Sequence, residues 1–356
     1  MKFRKVYTMT LLFSLILLFQ ACDWFGGEDD KPQKKSSEFV FTVDTLKQFS
    51  QIEVNDLDVI DDTSFVVTGF FVENDENGNT KNVYNQIWWG KKKGYEYKTE
   101  KFLVDENYYL ESARLEYFAG DHHFYAFGIG PSVVINDKNV IKYLTFYSTN
   151  SDIDKLQYQN IELIRPGEFY LYGRNGSLVY YKDGRFTKIA VSDSVDLIRA
   201  HWATDTLAIW GYKKNSDGDY FENQLFSVTN KTNVQLIKTW NLSIAVDQPF
   251  YIYEIIKDQG QWQFLSQRGG LYDFSFHTNT FKRVWGDWFV SASINERNDF
   301  IGILLEGTVG YFSNNTLYPI YKFDPEDPFS FPTRAKYKGN LVLFQHYQRI
   351  FIGVRK

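Results

Sequence analysis

Five histidines, a single cysteine and 44 carboxylates are the side chains with which this chain could do chemistry. Nucleophilic catalysis needs a Ser or Cys beside a His and an orienting acid. No Gly-x-Ser-x-Gly elbow occurs, and His122, His123, His201, His277 and His346 show no metal-ligand spacing. The segment Glu73-Asn74-Asp75-Glu76-Asn77-Gly78-Asn79 alternates oxygen-bearing side chains before a glycine, as a calcium loop does. Its twelfth position, however, is Tyr84, where a bidentate Glu would be required. Asn215-Ser216-Asp217-Gly218-Asp219 lacks the pattern as well, and Asn-Gly and Asp-Gly pairs are the residues of tight hairpins. Both stretches are therefore expected to be hairpin tips, and no metal or cofactor is expected.

The cysteine is a different matter. Lys2, Arg4 and Lys5 precede an apolar run from Val6 to Phe19, too short to cross a bilayer that needs about 20 residues. It reads as a signal peptide over residues 1–21. Leu18-Phe19-Gln20-Ala21-Cys22 resembles the lipobox of bacterial lipoproteins, with Phe19 standing where that pattern prefers Leu. The resemblance implies a lipid on Cys22, attachment to a membrane, and an address in the cell envelope. The expected setting is an outer-membrane lipoprotein facing the periplasm or the outside. Residues 22–37, rich in Gly, Asp, Lys and Ser, read as a flexible tether. Loss of Lys2, Arg4 and Lys5 with the signal takes the net charge from −5 to −8. Phosphate contacts need Lys and Arg, so no nucleic-acid partner is expected.

The remainder, residues 38–356, repeats. Taking the first apolar residue after each central turn as an anchor gives Ile87, Val133, Leu178, Leu225, Leu271, Val309 and Ile350, spaced by 46, 45, 47, 46, 38 and 41 residues. That period is the length of a four-stranded blade, and the expected fold is an all-β, single seven-bladed β-propeller of antiparallel blades. Apolar runs such as Phe124-Tyr125-Ala126-Phe127 and Leu341-Val342-Leu343-Phe344 follow turn residues, as strands do. The last copy lacks a fourth strand, and Phe39–Thr45 precedes the first copy without a repeat of its own. Pairing of these two ends is expected to close the ring and remove an exposed edge. The 66 aromatic residues are expected mainly as wedges between blades.

Arg268-Gly269-Gly270-Leu271-Tyr272-Asp273-Phe274 and Asn175-Gly176-Ser177-Leu178-Val179-Tyr180-Tyr181 resemble the repeats of bacterial extracytoplasmic propellers, including two-component sensor ectodomains. The repeated Trp-Asp of WD40 blades is absent, as are Asp boxes and kelch glycine pairs. Propellers host many functions, so activity must be argued from a site. Arg114, Glu116, Arg165, Arg199, His201 and Glu254 lie on expected inner strands and form a candidate ligand-binding set around the channel. The expected role is a lipid-anchored binding or scaffold protein whose loop-rich face engages an envelope protein or a small-molecule or glycan ligand. The alternative is an envelope hydrolase or lyase acting on glycans or peptides at the channel mouth, which would need two carboxylates at catalytic separation.

Overall fold

Strand β1 (Phe41–Leu46) leads into a series of antiparallel meanders in a computed structural model of the chain. The structure describes residues 41–46, 49, 53–93, 96–103, 114–118, 123–127, 132–136, 141–144, 157–242, 248–267, 270–296, 298–313, 316–323, 334–346 and 349–355. The first meander is β2 (Glu53–Asp61), β3 (Ser64–Asn74), β4 (Thr80–Lys93) and β5 (Glu96–Leu103). It is followed by β6 (Arg114–Phe118), β7 (His123–Phe127), β8 (Ser132–Asn136) and β9 (Ile141–Leu144). Next come β10 (Gln157–Arg165), β11 (Glu168–Arg174), β12 (Leu178–Lys182) and β13 (Arg185–Lys188). Then follow β14 (Val195–Ala203), β15 (Thr206–Lys214), β16 (Tyr220–Thr229) and β17 (Asn233–Asn241). The fifth set is β18 (Ile252–Asp258), β19 (Gln261–Ser266), β20 (Gly270–Ser275) and β21 (Thr280–Trp285). The sixth is β22 (Phe289–Glu296), β23 (Asp299–Leu304), β24 (Thr308–Ser313) and β25 (Thr316–Lys322). The last strands are β26 (Arg334–Lys338), β27 (Leu341–His346) and β28 (Arg349–Arg355).

Hydrogen bonding groups these strands into seven four-stranded sheets, the last ordered β1-β28-β27-β26. The first strands of the sheets adjoin in a ring, β2, β6, β10, β14, β18, β22, β26 and back to β2. The architecture is an all-β propeller. The sequence expectation of a single seven-bladed propeller is corrected: among the described residues, apolar cores join six four-stranded sheets. The sheet β6–β9 is defined by its strand pairing alone.

The two middle strands of a blade are covered on both faces, which is why they read as continuous apolar runs rather than alternating ones. β23 and β27 are buried along their whole length, whereas the outer strand β17 is largely exposed. Five apolar interfaces join the six packed sheets in succession. Tyr170 and Leu178 meet Leu197 and Ile209, and Trp210 and Leu225 meet Ile255 and Phe264. Leu265 and Trp285 meet Phe300 and Phe312, Ile301 and Tyr311 meet Tyr337 and Phe344, and Leu341 and Ile350 meet Leu57 and Phe65. Aromatic side chains thus fill most of the wedge between twisted sheets.

The first and last strands meet. β1 pairs antiparallel with β28 from Phe41↔Arg355 to Leu46↔Ile350. This strand is the one expected at Phe39–Thr45, with residues 39 and 40 outside the described set.

The inner strands run parallel to one another where their contacts resolve direction. Ser291 Oγ, Ser293 Oγ and Asn295 Oδ1 on β22 accept the backbone N–H groups of Ala335, Tyr337 and Gly339 at 3.2, 3.3 and 3.3 Å, in parallel step. The ring therefore has two distinct faces. The entry face carries the connections into the inner strands and the hairpins between second and third strands. The exit face carries the other turns. β1 runs from exit to entry, so the chain preceding Phe41 joins the propeller at the exit face.

Candidate functional site

The inner strands enclose a cavity of about 330 Å3 lined by Asp58, Glu162, Arg199, His201, Glu254 and Lys336 among others. Six strands contribute, so the lining comes from residues far apart in sequence. Three members of the candidate set, Arg199, His201 and Glu254, lie here. Arg165 does not. It ends β10, and its Nε donates to Glu168 Oε2 across the exit-face turn at 2.5 Å. Arg114 and Glu116 lie on β6, and their side chains are outside the described residues.

Most of the polar lining is engaged in holding the ring together. Glu162 Oε1 accepts the Trp202 N–H at 2.7 Å, and Glu254 Oε2 accepts the Ile294 N–H at 2.6 Å. Arg199 Nε donates to the Tyr253 carbonyl at 2.8 Å, again from one inner strand to the next. Lys336 Nζ lies 3.1 Å from Glu254 Oε1, reaching it past the small Ser293 of the intervening strand. His201 Nδ1 stands 3.5 Å from Glu162 Oε1, and its ring meets Trp262 edge-on. Burial lowers the His201 pKa to about 4 although Glu254 pulls it the other way, so the imidazole is neutral at pH 7. Both carboxylates thus accept backbone hydrogen bonds, which suits them to fixing blades rather than to exchanging protons with a substrate.

Sequence reasoning did not single out Asp58, Glu162, Lys336 or Lys338. Glu162 had a usable signal, a lone acid between Ile161 and Leu163. Lys336 had the alternation Arg334-Ala335-Lys336-Tyr337-Lys338, which puts three cations on one side of a strand.

A second feature lies on the entry face. Of the five large apolar side chains exposed among the described residues, Tyr220, Phe221, Trp288 and Leu305 belong to this face. Tyr220 continues into a chain of rings. Tyr220 lies 5.1 Å from Tyr212, Tyr212 6.3 Å from Tyr251, and Tyr251 5.4 Å from Tyr253. Tyr253 donates its hydroxyl to the carbonyls of Phe289 and Val290 at 3.1 and 2.6 Å. Phe289 follows Trp288 and pairs with Leu304, which precedes Leu305. These links run as an arc from Tyr220 across three consecutive blades to Phe289, the residue after Trp288.

Its outer end is held firmly. Asp196, almost fully buried, receives Lys214 Nζ at 2.8 Å, the Tyr220 hydroxyl at 2.6 Å and the Asn175 N–H at 3.0 Å. Burial raises the carboxyl pKa, but these three donors outweigh it and the net shift is downward. Burial and Asp196 together raise the Tyr220 phenol to about 12.

The two polar hairpins at this face share one construction. Asp75 Oδ1 accepts the N–H groups of Asn77 and Asn79 at 2.9 and 2.8 Å. Asn215 Oδ1 accepts those of Asp217 and Asp219 at 3.0 and 2.8 Å. Gly78 and Gly218 take φ of 82° and 87°, which only glycine adopts without strain. Oxygen atoms that a calcium loop would direct at an ion are spent on backbone turns. No cluster of three metal-ligating side chains occurs among the described residues.

No family model and no curated protein matches the chain. Solved structures do resemble it. A structure of YCF48 bound to D1 peptide superposes with a TM-score of 0.57 at 8% identity, covering 91% of this chain and 97% of its own. The WD40 propeller domain of Doa1 gives 0.57 at 12% identity, covering 89% and 97%. The Neurospora crassa Pan2 WD40 domain gives 0.59 at 8% identity, covering 91% and 97%. At such identities the likeness is one of fold, and the fold is that of a β-propeller.

Proposed function

We propose that this protein is a lipid-anchored envelope propeller that binds a protein partner through its entry face. The observation that carries the reading is that exposed Tyr220, Phe221 and Trp288 lie on one face, with Tyr220 packed against the buried ring of Tyr212. Contiguous apolar surface rimmed by polar residues marks interaction sites, and Tyr and Trp are the usual anchors. The similar YCF48 structure holds a peptide, which is in keeping with such a role.

The direction of β1 supports the arrangement. A tether running from Cys22 to Phe41 meets the ring at the exit face, leaving the aromatic arc on the side away from the lipid. Eighteen intervening residues extend to roughly 60 Å at most. The channel carboxylates, occupied with blade-to-blade hydrogen bonds, favour binding over the hydrolase or lyase reading.

The test pairs two variants of the full chain in its native membrane. Cys22→Ala should release the protein from membranes, and Trp288→Ala should abolish co-purification of a defined partner while leaving membrane attachment intact. Unchanged membrane association of Cys22→Ala would remove the anchor from the reading. Unchanged partner recovery by Trp288→Ala together with Phe221→Ala would remove the binding face.

A further inference from the structure

Resting on that binding face, the charge beside its apolar residues specifies the partner further. We infer that the arc receives a polypeptide segment carrying both apolar and cationic side chains. Acidic residues accompany every exposed apolar residue of the arc. Asp217 and Asp219 form the exposed hairpin tip beside Tyr220 and Phe221, Asp287 precedes Trp288, and Glu306 follows Leu305. The lysines at this end are committed, Lys214 to Asp196 at 2.8 Å and Lys213 to Glu222 at 3.8 Å, while Arg174 also acts on Tyr220 and the Arg283 guanidinium lies against Gly286, beside Asp287. The two lysines also lie over the arc's rings, Lys214 5.7 Å from the Tyr220 centroid and Lys213 5.5 Å from that of Phe221.

The net charge of −5, which becomes −8 on loss of residues 1–21, adds a long-range field of the same sign, which attracts a basic segment and repels anionic lipid. A second copy of this chain would bring acid against acid. An apolar and basic segment satisfies both features of the surface at once.

The experiment uses the full chain in detergent and three fluorescent peptides of one apolar Leu/Trp pattern, with the remaining positions Lys/Arg, Gln or Glu. The Lys/Arg peptide should bind at least about tenfold more tightly than the Gln peptide, the Glu peptide weakest, and the preference should shrink as salt is raised. Trp288→Ala and Phe221→Ala should each weaken the Lys/Arg peptide about tenfold, and Asp217→Asn with Asp219→Asn about threefold. Circular dichroism would confirm that each variant stays folded. Equal binding of all three peptides, with loss in Trp288→Ala, would overturn the cationic preference while leaving the protein-binding face in place. No loss in either aromatic variant would overturn both. Binding of phosphatidylglycerol vesicles, or self-association, that Trp288→Ala abolishes would also overturn the inference.

Discussion

The Glu254 carboxylate accepts the backbone N–H of Ile294 at 2.6 Å, and this bond passes from one inner strand to the next. Glu162 repeats it on Trp202 at 2.7 Å. In each case donor and acceptor are 40 residues apart, close to one blade, so the same bond recurs two blades away. Between them Arg199 makes the corresponding link through the Tyr253 carbonyl. The channel wall is therefore a set of side-chain-to-backbone bonds that substitute for a ladder between inner strands. A backbone N–H facing a narrow channel needs a partner, and the neighbouring blade's carboxylate is it.

Removing that partner should cost more than changing its charge. Glu254→Ala removes the acceptor of the Ile294 N–H and the carboxylate 3.1 Å from Lys336 Nζ, and should lower stability by about 2 kcal/mol. Glu254→Gln keeps an acceptor oxygen and should cost less than about 1 kcal/mol. Urea unfolding with unchanged slope measures both. An alanine variant as stable as the parent would show that the bond does not hold the ring.

Acidification should weaken the protein through His201. Its imidazole faces Glu162, Glu254 and the Trp262 ring, and burial holds its pKa at about 4, below the roughly 6.5 of an unfolded chain. Between those values the unfolded state binds a proton that the native state does not. Stability therefore rises with pH across this window and falls as pH drops from about 6.5 to about 4. The change is on the order of 2 kcal/mol after allowing for solvent in the channel. His201→Gln should flatten the stability profile in that window relative to the parent. Parallel profiles for the two proteins would assign the dependence elsewhere.

The blade period was legible because each anchor sits on a third strand, covered on both sides and hence apolar in every copy. Leu178, Leu225, Leu271, Val309 and Ile350 are all fully buried. The same logic located Arg199, His201 and Glu254, polar residues interrupting apolar runs. It misplaced Arg165, which directly precedes Pro166-Gly167 and so ends its strand at the exit face. Lys336 escaped because its partner Glu254 is 82 residues away, a relation set by ring geometry and not by local pattern. The aromatic arc escaped because a Tyr or Trp between blades and one at a rim look alike in sequence.

A second recurring device links blades at the exit face. Glu168 accepts the Tyr180 hydroxyl and meets Lys231 of the next blade at 3.3 Å. Asp299 accepts the Tyr311 hydroxyl at 3.1 Å, and that hydroxyl receives Arg355 Nη1 at 2.8 Å. Both tyrosines lie twelve residues after their acid. Tyr180→Phe and Tyr311→Phe should each cost about 1 kcal/mol, and their sum should describe the double variant to within about 0.5 kcal/mol, since the two sites share no partner. A double variant far from additive would mean that distant blades are coupled around the ring.

Closure of the ring gives the strongest expectation for stability. β1 covers the free edge of β28 over six residue pairs, and Phe41 packs 5.6 Å from Tyr311 of the preceding blade. A chain shortened to begin after Leu46 would keep β26, β27 and β28 but expose a row of backbone donors and acceptors along β28. Such an edge pairs with any strand that reaches it. The shortened protein should melt at lower temperature and self-associate, and a synthetic peptide of residues 41–46 linked back through a long flexible segment should restore both properties. Gel filtration at several concentrations reads the association, and thermal unfolding reads the stability. A shortened chain that stays monomeric with an unchanged melting temperature would show that β1 decorates the last blade without closing it. In that case the ring would owe its integrity to the inner-strand bonds of Glu162, Arg199 and Glu254 and to the apolar wedges between the sheets.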